Sequence, residues 1–144
     1  MKQEDKDFLV LDLCARLPYG VKMVYKEPEY GIISTHTLSN LEVWNCELKD
    51  ALVVCDRGHH KYSLGESLLG DSCLPYLRPM SSMTDNEKMK YVTLTNLNTD
   101  EFGVPYREIT LEALDWLNKN HFDYRRLIEK GLALEAPDGM YNII

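Results

Sequence analysis

Leu9-Val10-Leu11-Asp12-Leu13-Cys14-Ala15-Arg16-Leu17-Pro18-Tyr19-Gly20-Val21-Lys22-Met23-Val24-Tyr25-Lys26 is the stretch whose reading decides the fold class. In its first half Val10, Leu13, Cys14 and Leu17 recur at i, i+3, i+4 and i+7, the spacing of one helical face. Phe8, Leu9 and Leu11 widen that face. Pro18 cannot continue the helix, and Pro18-Tyr19-Gly20 makes a turn. Beyond it Val21, Met23 and Tyr25 alternate with other residues, the period of a strand. A 3.6-residue period gives way to a two-residue period across a single turn, which predicts an α+β fold.

On its amino-terminal side the helix extends back to about Gln3. Glu4, Asp5 and Asp7 lie in its first turns and Arg16 near its end, each where the helix dipole favours its charge. The N-terminal sequence is charged and lacks the apolar core of a signal peptide. On the carboxyl side, strands are predicted at Val21–Lys26, Ile32–Thr37, Leu41–Cys46 and Ala51–Cys55, with turns at Glu27–Gly31 and Leu38–Asn40. Strands at this spacing predict a small antiparallel meander or barrel-like sheet. A parallel arrangement would need intervening helices that this region lacks.

His59–Asp71 reads as a loop with a short strand or helical turn inside; after it Cys73–Met80 reads as extended, because Pro75 and Pro79 bias their preceding residues away from helix. Thr84 and Glu87 form a capping box that starts a helix running to about Tyr91. Asn96–Pro105 reads as an exposed loop. Thr110 caps a further helix, with Leu111, Leu114, Trp116 and Leu117 along its apolar side. Asp123 is expected to cap a last short helix, Tyr124–Lys130, closed by Gly131. The chain of 144 residues thus reads as one domain, 1–144, with helices flanking a β-rich middle.

A formal net charge of −7 opposes general binding to the phosphate backbone. No apolar run is long enough to span a membrane, and the expectation is a soluble, cytoplasmic protein. Cys14, Cys46, Cys55 and Cys73 form no C-x-x-C pair and are expected to be reduced. Cys14 and Cys55 are expected to be buried as small hydrophobes.

The densest chemical cluster is Cys55-Asp56-Arg57-Gly58-His59-His60. Cys55, Asp56, His59 and His60 are metal-ligating or catalytic residue types, and His36, Cys46 or Cys73 would have to complete a site through the fold. The spacing matches no familiar zinc pattern, so the competing reading, a polar turn with exposed imidazoles, is preferred. Glu27 with Glu29, and Asp100 with Glu101, read as solvated loop charges. The chain has no P-loop, G-x-S-x-G, G-x-G-x-x-G or H-E-x-x-H sequence, and no cofactor is expected.

Three further residues, Trp44, Tyr76 and Arg78, are of the types enriched at protein interfaces. Tyr124, Arg125 and Arg126, in a basic-aromatic segment, are candidates for stacking on bases and pairing with phosphates. The simpler account has their segment packing inward with its charges in water.

Three blocks together carry a resemblance: Asp12–Val21; Pro75–Thr84; and Asp115–Asn118 with His121–Arg125 and Gly131–Pro137. They resemble a group of uncharacterised proteins of gut Bacteroides-type bacteria and their phages or mobile elements. That resemblance implies a cytoplasmic, phage- or prophage-type context and no particular activity. The resulting expectation is a non-enzymatic accessory protein that acts by protein–protein contact. The alternatives are a nucleic-acid-binding module and a metal or cysteine enzyme centred on Cys55–His60.

Overall fold

Pro18 removes a backbone donor and Gly20 takes a left-handed conformation (φ 67°), so the first helix ends within one turn of the first strand. In the computed structural model, which describes residues 2–26, 30–44, 47–55, 61–65 and 73–141, helix α1 spans Gln3–Arg16. A 3-10 turn, Leu17–Tyr19, leads to β1 (Lys22–Lys26). Strands β2 (Ile33–Trp44), β3 (Glu47–Cys55), β4 (Lys61–Gly65) and β5 (Cys73–Leu77) follow. Next come α2 (Asp85–Leu94), β6 (Thr95–Thr99), β7 (Pro105–Ile109), α3 (Leu111–Lys119) and the two-residue β8 (Leu134–Glu135).

The main sheet has the order β4-β3-β2-β1-β5-β8. Its pairings are antiparallel apart from β5 with β8. The sheet is open, so of the two expected forms the meander is the one present. The described parts of the two predicted strands Ile32–Thr37 and Leu41–Cys46 fall in one strand, β2 (Ile33–Trp44). The expected turn at Leu38–Asn40 is a bulge, where the register against β3 shifts between Leu38 and Asn40.

The face that α1 turns to the sheet is only partly the expected one: Val10 and Leu17 do pack against the core beside Leu13. Leu9 and Leu13 are buried, together with Asp12 and Arg16, while Cys14 is exposed. Leu9 and Leu13 pack with Val21 and Met23 of the first strand segment, Leu38, Cys73, Leu77, Leu127, Leu132 and Ala133. Each fully buried leucine here stabilises by roughly 1.5–3 kcal/mol. A second cluster joins Met83, Leu117 and Phe122, with Tyr91 and Trp116 stacked beside Phe122.

A short crossing ties the two clusters. Arg78 N donates to His121 O (2.8 Å), and Asp123 N donates to Arg78 O (2.8 Å). From the other side Arg16 Nη2 donates to Phe122 O (2.6 Å). Arg16 also pairs with Asp12 through Nε (2.8 Å) and Nη2 (3.1 Å), and both side chains are wholly buried.

Two segments depart from their sequence reading. Asn96–Pro105 is not a loop; it holds β6, the turn and the start of β7. Asp100 Oδ1 accepts from Phe102 N and Val104 N, both at 2.9 Å, and Gly103 (φ 77°) turns the chain back. Tyr124–Lys130 is a series of turns and not a helix. Asp123 does cap it, but its carboxylate accepts from Leu127 N (2.8 Å) and Ile128 N (2.9 Å), four and five residues on. A helix cap bonds two or three residues on. Arg126 then takes φ 59°, which no right-handed helix accommodates.

Replacing Asp12 alone by Asn should leave the Arg16 charge buried without its counter-ion and cost about 3–5 kcal/mol. Urea unfolding checks this, and the double change Asp12→Leu with Arg16→Leu should recover most of the loss.

Candidate functional site

Among the residues whose side-chain exposure is described, which leave out 39–72, eight of the fifteen exposed large apolar side chains lie between Met89 and Leu111. That concentration directs attention to the β6–β7 hairpin, which forms a two-stranded sheet of its own. Every residue of β7 is exposed. Leu97 on β6 is 65% exposed, Ile109 on β7 is 50% exposed, and Phe102 at the tip is 83% exposed. A two-stranded hairpin that buries only Thr95, at its start, is marginal in water by itself.

What holds this hairpin is local. Asn98 Nδ2 donates to Glu108 Oε2 across the strands (2.5 Å). Arg107 Nη1 reaches Thr95 Oγ1 (3.2 Å) and the Val92 carbonyl at the end of α2 (3.4 Å). At its foot Thr110 Oγ1 donates to the Leu94 carbonyl and accepts from Ala113 N (3.1 Å), capping α3. Asp100, Glu101 and Glu108 make the hairpin net acidic against the single Arg107.

Beside the foot lies a groove of about 560 Å3. It is lined by Ile109 of the hairpin, Tyr91 of α2, Pro79 and Met80, and Tyr124, Arg126, Ile128 and Glu129 of the turn segment. Its size and mixed lining suit a bound side chain or short peptide segment.

Polar side chains fix the groove from beneath. Arg78 grips Glu87 through two parallel bonds (2.8 and 2.9 Å) and lies 4.1 Å above the Phe122 ring. Glu87 also completes the cap of α2, accepting from Thr84 N (3.0 Å) while Thr84 Oγ1 accepts from Glu87 N (3.2 Å). The hydrogen bond from Arg78, with that from Thr84, holds the Glu87 carboxyl below its ordinary range, against the opposing effect of burial. The Tyr124 hydroxyl donates to Asn118 Oδ1 (2.9 Å) and accepts from Arg125 Nη2 (3.2 Å). Arg16 and Arg125 both place guanidinium groups over the Tyr124 ring, and Arg125 Nε lies 3.6 Å from Asp12.

The sequence-derived candidates therefore separate. Tyr124 and Arg125 bond to each other, and Arg78 pairs separately with Glu87; all three are half-buried. Arg126 is exposed and lines the groove with Tyr124. The backbone carbonyl of Tyr76 accepts from the Tyr141 hydroxyl (2.7 Å). Trp44 ends β2 and Cys55 ends β3, opposite His36. Asp56, His59 and His60 lie outside the described residues, as does Cys46. Among the described residues no group of three or more His, Cys, Asp or Glu is arranged to hold a metal. Burial pushes the Cys73 thiol up to about 12, so it is no thiolate near neutral pH.

Sequence reasoning missed the hairpin because its apolar residues face water on both sides and show no strand alternation. It also missed His121. This residue is 5% exposed, takes a left-handed backbone (φ 61°) and stacks on Tyr141 at 3.8 Å. The Tyr141 hydroxyl accepts from Lys22 N (2.9 Å), so the tail is pinned across β1 and β5. Burial first, then the charges of Arg16, Arg78 and Lys22, lower the His121 pKa to about 4. Comparison of the chain with protein-family models, curated proteins and solved structures found no match.

Because His121 binds its proton less well when folded, the unfolded chain holds more protons between about pH 6.5 and 4. Stability should fall as pH drops through that window, by on the order of 2–3 kcal/mol from this residue. The variant His121→Asn, which tolerates the same backbone, should flatten that part of a stability-against-pH curve.

Proposed function

We propose that this chain is a non-enzymatic accessory protein that works by binding another protein, in the phage- or mobile-element-type setting that its sequence resembles. The β6–β7 hairpin and the groove at its foot form the binding surface. One observation carries the reading: Leu97, Phe102 and Ile109 are held out in water on a hairpin that contributes no buried face to either core cluster. Exposed apolar side chains concentrated in this way mark interaction sites.

Binding would give the hairpin the buried face that it lacks. Acidic groups beside the apolar ones favour a partner whose apolar strip is flanked by lysine or arginine. The same charge disfavours a nucleic-acid backbone. Tyr124 and Arg125, the residues best suited to contact one, already bond to Asn118 and to each other.

The triple variant Leu97→Thr, Phe102→Ser and Ile109→Thr removes apolar surface but keeps strand formers in β6 and β7. It should unfold within about 1 kcal/mol of the parent, since the three side chains are exposed. Quantitative capture from bacterial lysate should show a protein enriched on the parent chain and lost on the variant. Equal recovery on both, or no specific recovery, would contradict the proposal.

A further inference from the structure

Among the described residues β6 and β7 pair only with each other, so their sheet ends at two free edges. Asp100 N donates to Val104 O (2.9 Å), which makes theirs a bonded pair. In an antiparallel ladder bonded pairs recur at every second residue. With the observed register, Asn98–Tyr106 and Asn96–Glu108 are the next bonded pairs. The backbone groups of Thr95, Leu97 and Thr99 therefore point away from β7, along the outer edge of β6. The Thr95 N–H is taken by the Val92 carbonyl. Among the described residues no backbone bond from outside the hairpin reaches Leu97 or Thr99.

The two edges are not equally open. On β7 the same alternation turns Pro105, Arg107 and Ile109 outward. Pro105 has no N–H to offer, and Arg107 and Glu108 put charge on the strand. Folded proteins use proline and charge in this way to keep edges from pairing. β6 has neither: Thr95-Asn96-Leu97-Asn98-Thr99 is uncharged and free of proline. It has no bulge either, since its register against β7 runs unbroken.

The sequence of β6 also reads the same in both directions. Laid antiparallel against itself about Leu97, it places Leu97 opposite Leu97, Thr95 opposite Thr99 and Asn96 opposite Asn98. This register brings every outward-facing residue into a pair. A slip by one residue turns the wrong groups to the partner, and a slip by two leaves one outward residue unpaired. A two-fold contact requires self-complementarity of this kind, because the same patch is used on both chains.

We propose that a second copy of this chain pairs along β6, joining two hairpins into one antiparallel sheet in the order β7-β6-β6-β7. Leu97 N–H donates to the Leu97 carbonyl of the copy, and the copy does the same in return. Each Thr99 N–H donates to the Thr95 carbonyl opposite. Leu97, 65% exposed in the single chain, gains its own counterpart as a neighbour. A lone hairpin is marginal in water, whereas three or more strands support one another. So small a contact makes a weak dimer, with a dissociation constant on the order of 10–100 µM. The net charge of −7 on each chain works against it. This pairing goes beyond capture of another protein: it uses the backbone edge of β6 and does not need Phe102, Ile109 or the groove.

Sedimentation equilibrium of the full chain between roughly 5 µM and 1 mM tests it. The parent should pass from monomer to dimer within that range. Leu97→Lys and Leu97→Glu, each alone, should weaken the dimer roughly tenfold or more, because like charges then meet at the two-fold axis. An equimolar mixture of the two variants should dimerise again. A parent that stays monomeric throughout, a dimer indifferent to Leu97→Lys, or a mixture that stays monomeric would each overturn the proposal. If either variant does not fold, Thr99→Pro decides, since it removes only an outward N–H; a dimer as strong as the parent's overturns the pairing. A chain that stays monomeric yet still captures a lysate protein would overturn this pairing alone.

Discussion

The guanidinium of Arg16 is the point through which the helices and the sheet are joined. It lies wholly buried on α1, pairs with Asp12 one turn earlier, and donates to the Phe122 carbonyl 106 residues away. Breaking either contact would leave a charge in a low-dielectric interior, which is far costlier than the pair is stabilising. The arrangement therefore acts mainly to fix one geometry. With Arg16 placed, the 121–123 crossing can sit only where its carbonyl meets Nη2, and that crossing positions Arg78 through two backbone bonds. Nη1 remains without a partner among the described residues, so the fixation carries a cost.

Arg78 repeats the device one layer out. Its pairing with Glu87 joins the strand end to the cap of α2, and its stacking on Phe122 links both to the second core cluster. The groove is thus bounded on one side by groups held in several bonds each. The hairpin is tied to its surroundings through Thr95, Arg107 and Thr110, and Thr95 at its start is its one buried residue. The α2 and α3 caps, Thr84 and Thr110, set the points from which the hairpin springs.

The sequence made the first helix, its stop at Pro18, the first strand and both threonine caps legible, because each rests on a local rule. Three things were not. Apolar spacing places Val10, Leu13, Cys14 and Leu17 on one face of α1, but hydrophobicity alone cannot show that Asp12 and Arg16 go inside as a pair while Cys14 stays exposed. The end at Tyr124–Lys130 looked helical, because nothing local announces that Asp123 will bond to more distant amides and that Arg126 will turn left-handed. The hairpin was read as a loop, because a strand exposed on both faces carries no period of two. Of the residues singled out for binding, Arg126 and Tyr124 line the groove, whereas Arg78 and Arg125 are spent on holding it in place. Charges of the right type were visible in the sequence; which were already paired depended on contacts between distant segments.

No helix of the described residues is long and apolar enough to cross a membrane, and the chain folds as helices against an open sheet with one hairpin standing apart. With so little of it buried, the hairpin should open independently of the rest of the fold. Native-state hydrogen exchange on the intact chain tests it most directly. Backbone amides of α1, β1, β5 and the 121–123 crossing should share one high opening free energy, while those of 95–109 open at a clearly lower one. If the hairpin amides exchange only with global unfolding, it is an integral part of the fold, and the account is contradicted.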